Sequence, residues 1–198
     1  MNIKKVRFAR PTNSDFYSTV KNRVHHYFKD NNISKHGDSR MYVKTAFMLC
    51  LYLIPYAFLV GFGIANFWIM LLLWIIMGFG MAGIGLSIMH DANHGAYSKN
   101  PKINKLMGNL ILLVGGDDNN WKIQHNVLHH TYTNMHELDE DIDTAIFLRF
   151  SPNEKRFGMH TFQHLYAWFF YGLMTMLWST TKDFQQLVRY RKKGLTQQ

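Results

Sequence analysis

Cysteine is almost missing: Cys50 is the only one among 198 residues. A disulfide framework within the chain and a thiolate metal site are therefore both excluded. Charge is missing over a long stretch, since no Asp, Glu, Lys, Arg or His occurs from Thr45 to Met89. No HExxH and no Walker sequence is present, which removes zinc-protease and P-loop chemistry from consideration. Internal repeats and low-complexity tracts are absent too. The first 40 residues hold no short apolar run after their basic start, so no signal peptide is read there.

What fills the uncharged stretch is apolar, and a helix needs about 20 apolar residues to cross a bilayer core of about 30 Å. The length suffices for two crossings. Gly61, Gly63 and Asn66 in VGFGIANFW mark a turn between one span near 45–63 and another near 67–89. Pro55 lies within the first span, as membrane helices tolerate. Cys50 lies there as well and reads as a small buried apolar residue. The glycine pattern GFGMAG, 78–83, matches a dinucleotide fingerprint in letters only. It sits inside the second span with no strand before it, so it reads as small residues for close helix packing.

The formal net charge is +9. Ten basic residues, from Lys4 and Lys5 to Arg40 and Lys44, precede the first span. By the positive-inside rule the N-terminus is expected in the cytoplasm, and a two-span hairpin returns His90 to the same side. The basic charge flanks membrane spans, so anionic lipid is its expected partner and nucleic acid is not. In residues 14–30, Phe16, Val20, Val24 and Tyr27 recur at helical spacing. That predicts an amphipathic surface helix with Ser14 as N-cap and with His25 and His26 exposed. Residues 106–114 are too few to cross and read as a re-entrant or interfacial piece. Residues 165–180 form a third, marginal apolar segment, followed directly by Lys182, Arg189, Arg191, Lys192 and Lys193. Those charges conflict with the positive-inside rule if the segment crosses.

The histidines carry the chemistry. His90 and His94 in HDANHG are four apart and share a helix face. His125 and His129 in HNVLHH do the same, while in an α-helix His130 points about 100° further round. Two such groups just outside one hairpin read as a metal site at a membrane surface, the triplet serving two adjacent ions. Imidazole alone does not select among zinc, copper, iron and nickel. The acids Glu137, Asp139, Glu140, Asp141 and Asp143 follow, and ligating histidines usually donate their other N–H to a carboxylate. Asp139, and Asp91 for the first group, are expected in that role. DEDID, 139–143, lacks the glycine and the final glutamate of a calcium loop, with Thr144 and Phe150 in their places.

HDANHG followed by HNVLHHTYTN, both at the end of a two-span hairpin, resembles the first two histidine boxes of the membrane fatty acid desaturases. NWKIQHNVLHHTYTN and FQHLYAWFFYG look most like bacterial acyl-CoA or acyl-lipid desaturases of the linoleoyl-CoA, front-end type. The resemblance covers residues 14–198. It implies a reaction in which two histidine-held iron ions use O2 to take two hydrogens from an acyl chain, leaving a double bond and water. Carried over by motif, it makes His90, His94, His125, His129 and His130 metal ligands. Asn93 and Trp121 would shape the site, and a basic surface including Lys122 would face a CoA or phospholipid headgroup.

The family's third box, (H/Q)xxHH, is not found before Gln198, and no HPGG marks a cytochrome b5 domain. The expectation is therefore an N-terminal, truncated part of a desaturase, with electrons from an external ferredoxin or cytochrome b5 type donor. His160 and His164 are four apart but precede the third apolar segment; His164 is kept as a possible additional ligand.

The expected fold is an all-α integral membrane protein: a transmembrane helical hairpin plus a third apolar segment, with a cytoplasmic helical cap bearing the histidine clusters. Residues 1–44 form a cytoplasmic amphipathic region, and 45–198 belong to the desaturase domain. A membrane hydroxylase with the same ligands, or a non-catalytic metal-binding protein, are the alternatives. Transport is disfavoured because the hairpin holds no ionisable ligand. Double-bond position, chain length and the choice of CoA or phospholipid substrate are not legible.

Overall fold

The computed structural model describes residues 6, 8, 15–142 and 146–196. Ser14, the expected N-cap, and Asp143 lie outside them. Among the described residues every regular element is helical. Helix α1, Phe16–Asp30, buries no residue, so its apolar stripe of Phe16, Val20, Val24 and Tyr27 faces outward.

Helix α2, Ser39–Gly61, starts six residues ahead of the expected span. The cap decides this: the Asp38 carboxylate accepts the Arg40 N–H at 2.9 Å. Charged residues limit how far a helix enters the membrane, not where it starts. The helix runs through Pro55 and ends at a turn where Gly63 has φ +56, a left-handed conformation that glycine adopts at little cost. The Asn66 side chain then accepts the N–H groups of Trp68 and Ile69, starting α3, Phe67–Gly83. A π-turn, Ile84–Met89, carries the chain into α4, His90–Asn93. Ser39–Gly61 and Phe67–Asn93 are each long and apolar enough to cross a membrane, and little of either is buried. Cys50 is exposed, contrary to the expectation, because α2 buries only Thr45 and Pro55.

Two glycines of GFGMAG, Gly80 and Gly83, stand against α2. A Cβ on Gly80 would stand 2.7 Å from the Tyr52 backbone nitrogen and 2.9 Å from the Leu51 carbonyl carbon, atoms that cannot swing aside. Gly78, two residues earlier, faces open space. Gly80→Val is expected to destabilise the hairpin by about 1–3 kcal/mol. Gly78→Val should be nearly neutral, and denaturant unfolding in micelles compares the two.

The core lies at the end of the hairpin that bears the histidines. Ile84, Ile88, Met89 and Ala92 pack with Tyr97, Ile111 and Val114. Each isoleucine contributes about 1.5–3 kcal/mol through burial. The Tyr97 hydroxyl meets Thr45 Oγ1 at 2.8 Å, tying the loop after α4 to α2. Helix α5, Pro101–Gly108, is capped by Asn100 and continues as a 3₁₀ turn, Asn109–Val114. Ile111 and Val114 of this short apolar segment face inward, and Leu112 and Leu113 outward.

Helix α6, Asp118–Lys122, passes through a π-turn, Ile123–His129, into α7, His130–Tyr132. After a loop, α8, Gln163–Leu177, holds most of the third apolar segment. A further π-turn, Trp178–Lys182, leads to α9, Asp183–Lys192. The Asp183 carboxylate accepts the Asp117 N–H at 2.6 Å and the Trp178 indole N–H at 2.8 Å. Asn120 Nδ2 donates to the Asp183 carbonyl at 2.9 Å. These bonds hold α9 against α6, so its basic residues lie on the histidine side of the hairpin.

Candidate metal centre

Five histidines from two helical segments meet at the end of the hairpin. The His90 and His94 rings lie 4.6 Å apart between centroids, and His125 stands 5.2 Å from the first and 5.3 Å from the second. His125 also stacks on His129 at 5.1 Å and meets His130 at 4.8 Å. It is the central ring, touching all four others.

The place of His130 departs from α-helical spacing. The π-turn explains it, because the His130 N–H bonds the His125 carbonyl, five residues back. That wider turn brings residues five apart over one another. His130 therefore returns to the cluster, and its Nε2 lies 3.3 Å from His94 Nε2. Two nitrogens each about 2.1 Å from one ion stand about 3 Å or more apart, so this pair matches a shared ion.

Carboxylates fix the ring orientations. The Nδ1–H groups of His125 and His129 donate to Asp141 Oδ2 at 3.1 Å and Asp139 Oδ1 at 3.0 Å. His90 Nδ1 lies 3.3 Å from Asp91 Oδ1. With Nδ1 engaged, Nε2 remains for a metal, the usual ligand arrangement. His125 Nε2 is buried without a hydrogen-bond partner among the described residues, which an unligated imidazole nitrogen would not be expected to tolerate. Ligand atoms of His90, His94 and His125 lie within 4.8 Å of one another, as do those of His125, His129 and Asp141. The second grouping is already explained by the Nδ1–carboxylate bonds, so Asp141 orients the rings.

Burial, with the neighbouring histidines adding to it, holds the His94 imidazole below its ordinary pKa. Burial does the same at His125, where the Asp141 carboxylate opposes the shift without cancelling it. Both rings thus favour the neutral form that binds metal. The donor set of imidazoles with carboxylate partners fits a transition-metal ion, iron among them.

Other expected residues are placed as follows. Trp121 stacks on His125 at 4.6 Å, walling the cluster. The Asn93 carbonyl accepts Asn126 Nδ2 at 3.3 Å, linking the two histidine segments. Asp139 is fully buried and also accepts the Asn134 and Asp141 N–H groups. His164 is exposed and shares no hydrogen bond or ring contact with the cluster among the described residues. His160 is used in the loop, where its two ring nitrogens meet the Phe157 N–H and the Ile146 carbonyl. His25 and His26 are exposed on α1, as expected. Lys122 is paired with Asp118 at 2.7 Å within its own helix and stays partly exposed. Gln124, Gln186, Arg189 and Tyr190 also lie close by. Their letters carry no metal signal, and only the fold brings them to the acidic loop.

The fatty acid desaturase family profile matches residues 66–197. The chain is 38% identical over 175 residues to an sn-1 linoleoyl-lipid 6-desaturase of Arthrospira platensis, covering 88% of this chain and 47% of that protein. It is 36% identical over 174 residues to an acyl-lipid (8-3)-desaturase of Physcomitrium patens, covering 86% of this chain and 36% of the relative. A probable Delta(5) fatty acid desaturase C of Dictyostelium discoideum is 34% identical over 171 residues, 82% of this chain and 36% of its own. The chain thus spans about half or less of the length of these relatives. No solved structure matches it. A profile match running from the hairpin turn through both histidine segments to α9 leaves one conclusion: the chain belongs to the fatty acid desaturase family.

Proposed function

We propose that this chain carries the first two histidine groups of an acyl desaturase, which introduces a double bond into an acyl chain held on a lipid or on CoA. The observation that carries the proposal is the convergence of His90, His94, His125, His129 and His130, with His125 Nε2 buried and unpartnered. These five are the proposed ligands of a centre for two iron ions. When bound, the iron supplies an oxidant strong enough for an unactivated C–H bond, with O2 as co-substrate and an external ferredoxin or cytochrome b5 type donor providing electrons. The protein's own groups orient the ligands: Asp91, Asp139 and Asp141 hold Nδ1, and Trp121 shields the cluster from one side. The names of the relatives favour acyl-lipid substrates.

The proposal includes the setting. Residues 1–44 form a cytoplasmic amphipathic region and 45–198 belong to the desaturase domain. The hairpin sits in the bilayer of a multi-pass protein with the histidines on the cytoplasmic side. Basic residues ahead of α2 and along α9 support that orientation.

The test is expression of the protein carrying this chain in a host supplied with defined fatty acids, followed by mass spectrometry of the methyl esters. The expected product has one double bond more than its precursor. Hydroxylated products would instead assign a hydroxylase, and an unchanged profile with the protein folded and iron-loaded would overturn the enzymatic reading.

A further inference from the structure

Helix α9 turns its polar side inward. Gln186 and Tyr190 are buried, whereas Phe184, Leu187 and Val188 are exposed. The buried face makes three attachments along its length. Asp183 binds the start of α6 through the Asp117 N–H and the Asn120 side chain. Gln186 Nε2 donates to Gln124 Oε1 at 2.5 Å. Tyr190 Oη and an Arg189 guanidinium nitrogen each donate to Glu140 Oε2 at 2.6 Å, and Lys193 stands 3.6 Å from its other oxygen.

The middle attachment leads to the histidines. Gln124 Nε2 donates to Asp141 Oδ1 at 2.6 Å, and Asp141 Oδ2 accepts His125 Nδ1–H at 3.1 Å. The polarity of this chain of bonds is fixed from one end. An ionised carboxylate only accepts, so Gln124 must turn its NH2 to Asp141 and its carbonyl oxygen to Gln186. Gln186 must then donate. Each bond orients the next, ending at the central imidazole, while Glu140, between Asp139 and Asp141 in sequence, is anchored to the same helix.

We infer that Gln186 is a positioning residue for the metal centre, acting through Gln124 and Asp141 on the orientation of His125. The inference rests on the proposed ligand role of the five histidines. Removing the Gln186 donor frees Gln124 to rotate and lets Asp141 leave the His125 Nδ1–H. Loss of a ligand's direct partner, here Asp141, typically changes metal affinity by about 10–100-fold, and Gln186 acts on that partner through one intervening glutamine.

The experiment uses the purified protein carrying this chain, titrated with cobalt(II) as the probe, because its ligand-field absorption reports ligand geometry directly. Wild type, Gln186→Met, Gln124→Met, the double variant and Gln185→Met, an exposed neighbour, are compared. Gln186→Met is expected to weaken cobalt binding by up to about 10-fold, the lower end for a ligand's direct partner, and to shift the absorption bands, with Gln185→Met unchanged. The double variant should lose no more than either single one, because all break the same link. An unchanged spectrum and affinity in Gln186→Met, or losses that add in the double variant, would overturn the inference. If Gln186→Met does not fold, Gln124→Met carries the same test, and an unchanged spectrum there overturns the inference. Failure of the wild type itself to bind cobalt would instead count against the ligand assignment.

Discussion

His125→Ala is expected to lower metal affinity by more than about 100-fold, because even the loss of a ligand's partner costs about 10–100-fold. The proposed desaturation should fall below detection in the same variant. The reason is position: His125 touches His90, His94, His129, His130 and Trp121, so its removal opens the centre of the cluster. Metal analysis of the purified variant beside wild type, with fatty acid profiles from the same cells, reads both effects. A His25→Ala, His26→Ala double variant on the exposed side of α1 should keep its metal and serves as the control. Retention of full metal content by His125→Ala would sink the assignment of this ring as a ligand.

Asp139→Ala should produce the second large loss, and here stability falls with metal binding. The Asp139 carboxylate is fully buried and receives His129 Nδ1–H, the Asn134 N–H and the Asp141 N–H. Alanine takes this acceptor from the Asn134 and Asp141 N–H groups and leaves His129 Nδ1–H only Asp141 Oδ2 at 3.4 Å, so a loss of about 2–3 kcal/mol is expected. Asp139→Asn keeps the shape but exchanges one acceptor oxygen for a donor, and should recover only part. Thermal unfolding of the metal-free protein measures this directly, and a change below about 1 kcal/mol in Asp139→Ala would refute it.

The pH dependence follows from the same contacts. Burial alone would raise the Asp139 carboxyl, but the backbone N–H of Asn134, the His129 ring and the Asp141 N–H outweigh it and hold the group below its ordinary value. A carboxyl with a depressed folded-state pKa contributes stability that is present above its unfolded value and is lost as pH falls through the folded one. The metal-free wild type should therefore lose stability on acidification in that range, and Asp139→Ala should show a flatter dependence.

Much of the architecture was written in the sequence by exclusion. A stretch from Thr45 to Met89 with no charged residue cannot be a soluble surface, and its length sets two helices. Gly63 and Asn66 marked the turn because φ and capping requirements are local. Histidines four apart fall on one side of any regular helix, so both pairs were legible as pairs. Acids directly after the second pair were visible too, and one of them, Asp139, receives His129 Nδ1–H.

What the letters did not carry were properties of assembly. Local spacing turned His130 away, and the π-turn from Ile123 to His129 returned it, a backbone choice with no residue signature here. Asp141 and Glu140 were two of several acids until packing gave one to His125 and the other to Tyr190 and Arg189. Cys50 lay exposed because α2 packs only part of its surface, burying Thr45 and Pro55. Gln124 and Gln186 stand 62 positions apart, and nothing local tells a glutamine which partner it will meet. The sequence alone set the spans, the turn and the histidine pairs, because these depend on periodicity and neighbouring residues. Only the tertiary structure decided which carboxylate holds which imidazole and which helix braces them, because such hydrogen bonds join segments that meet only once the chain has packed.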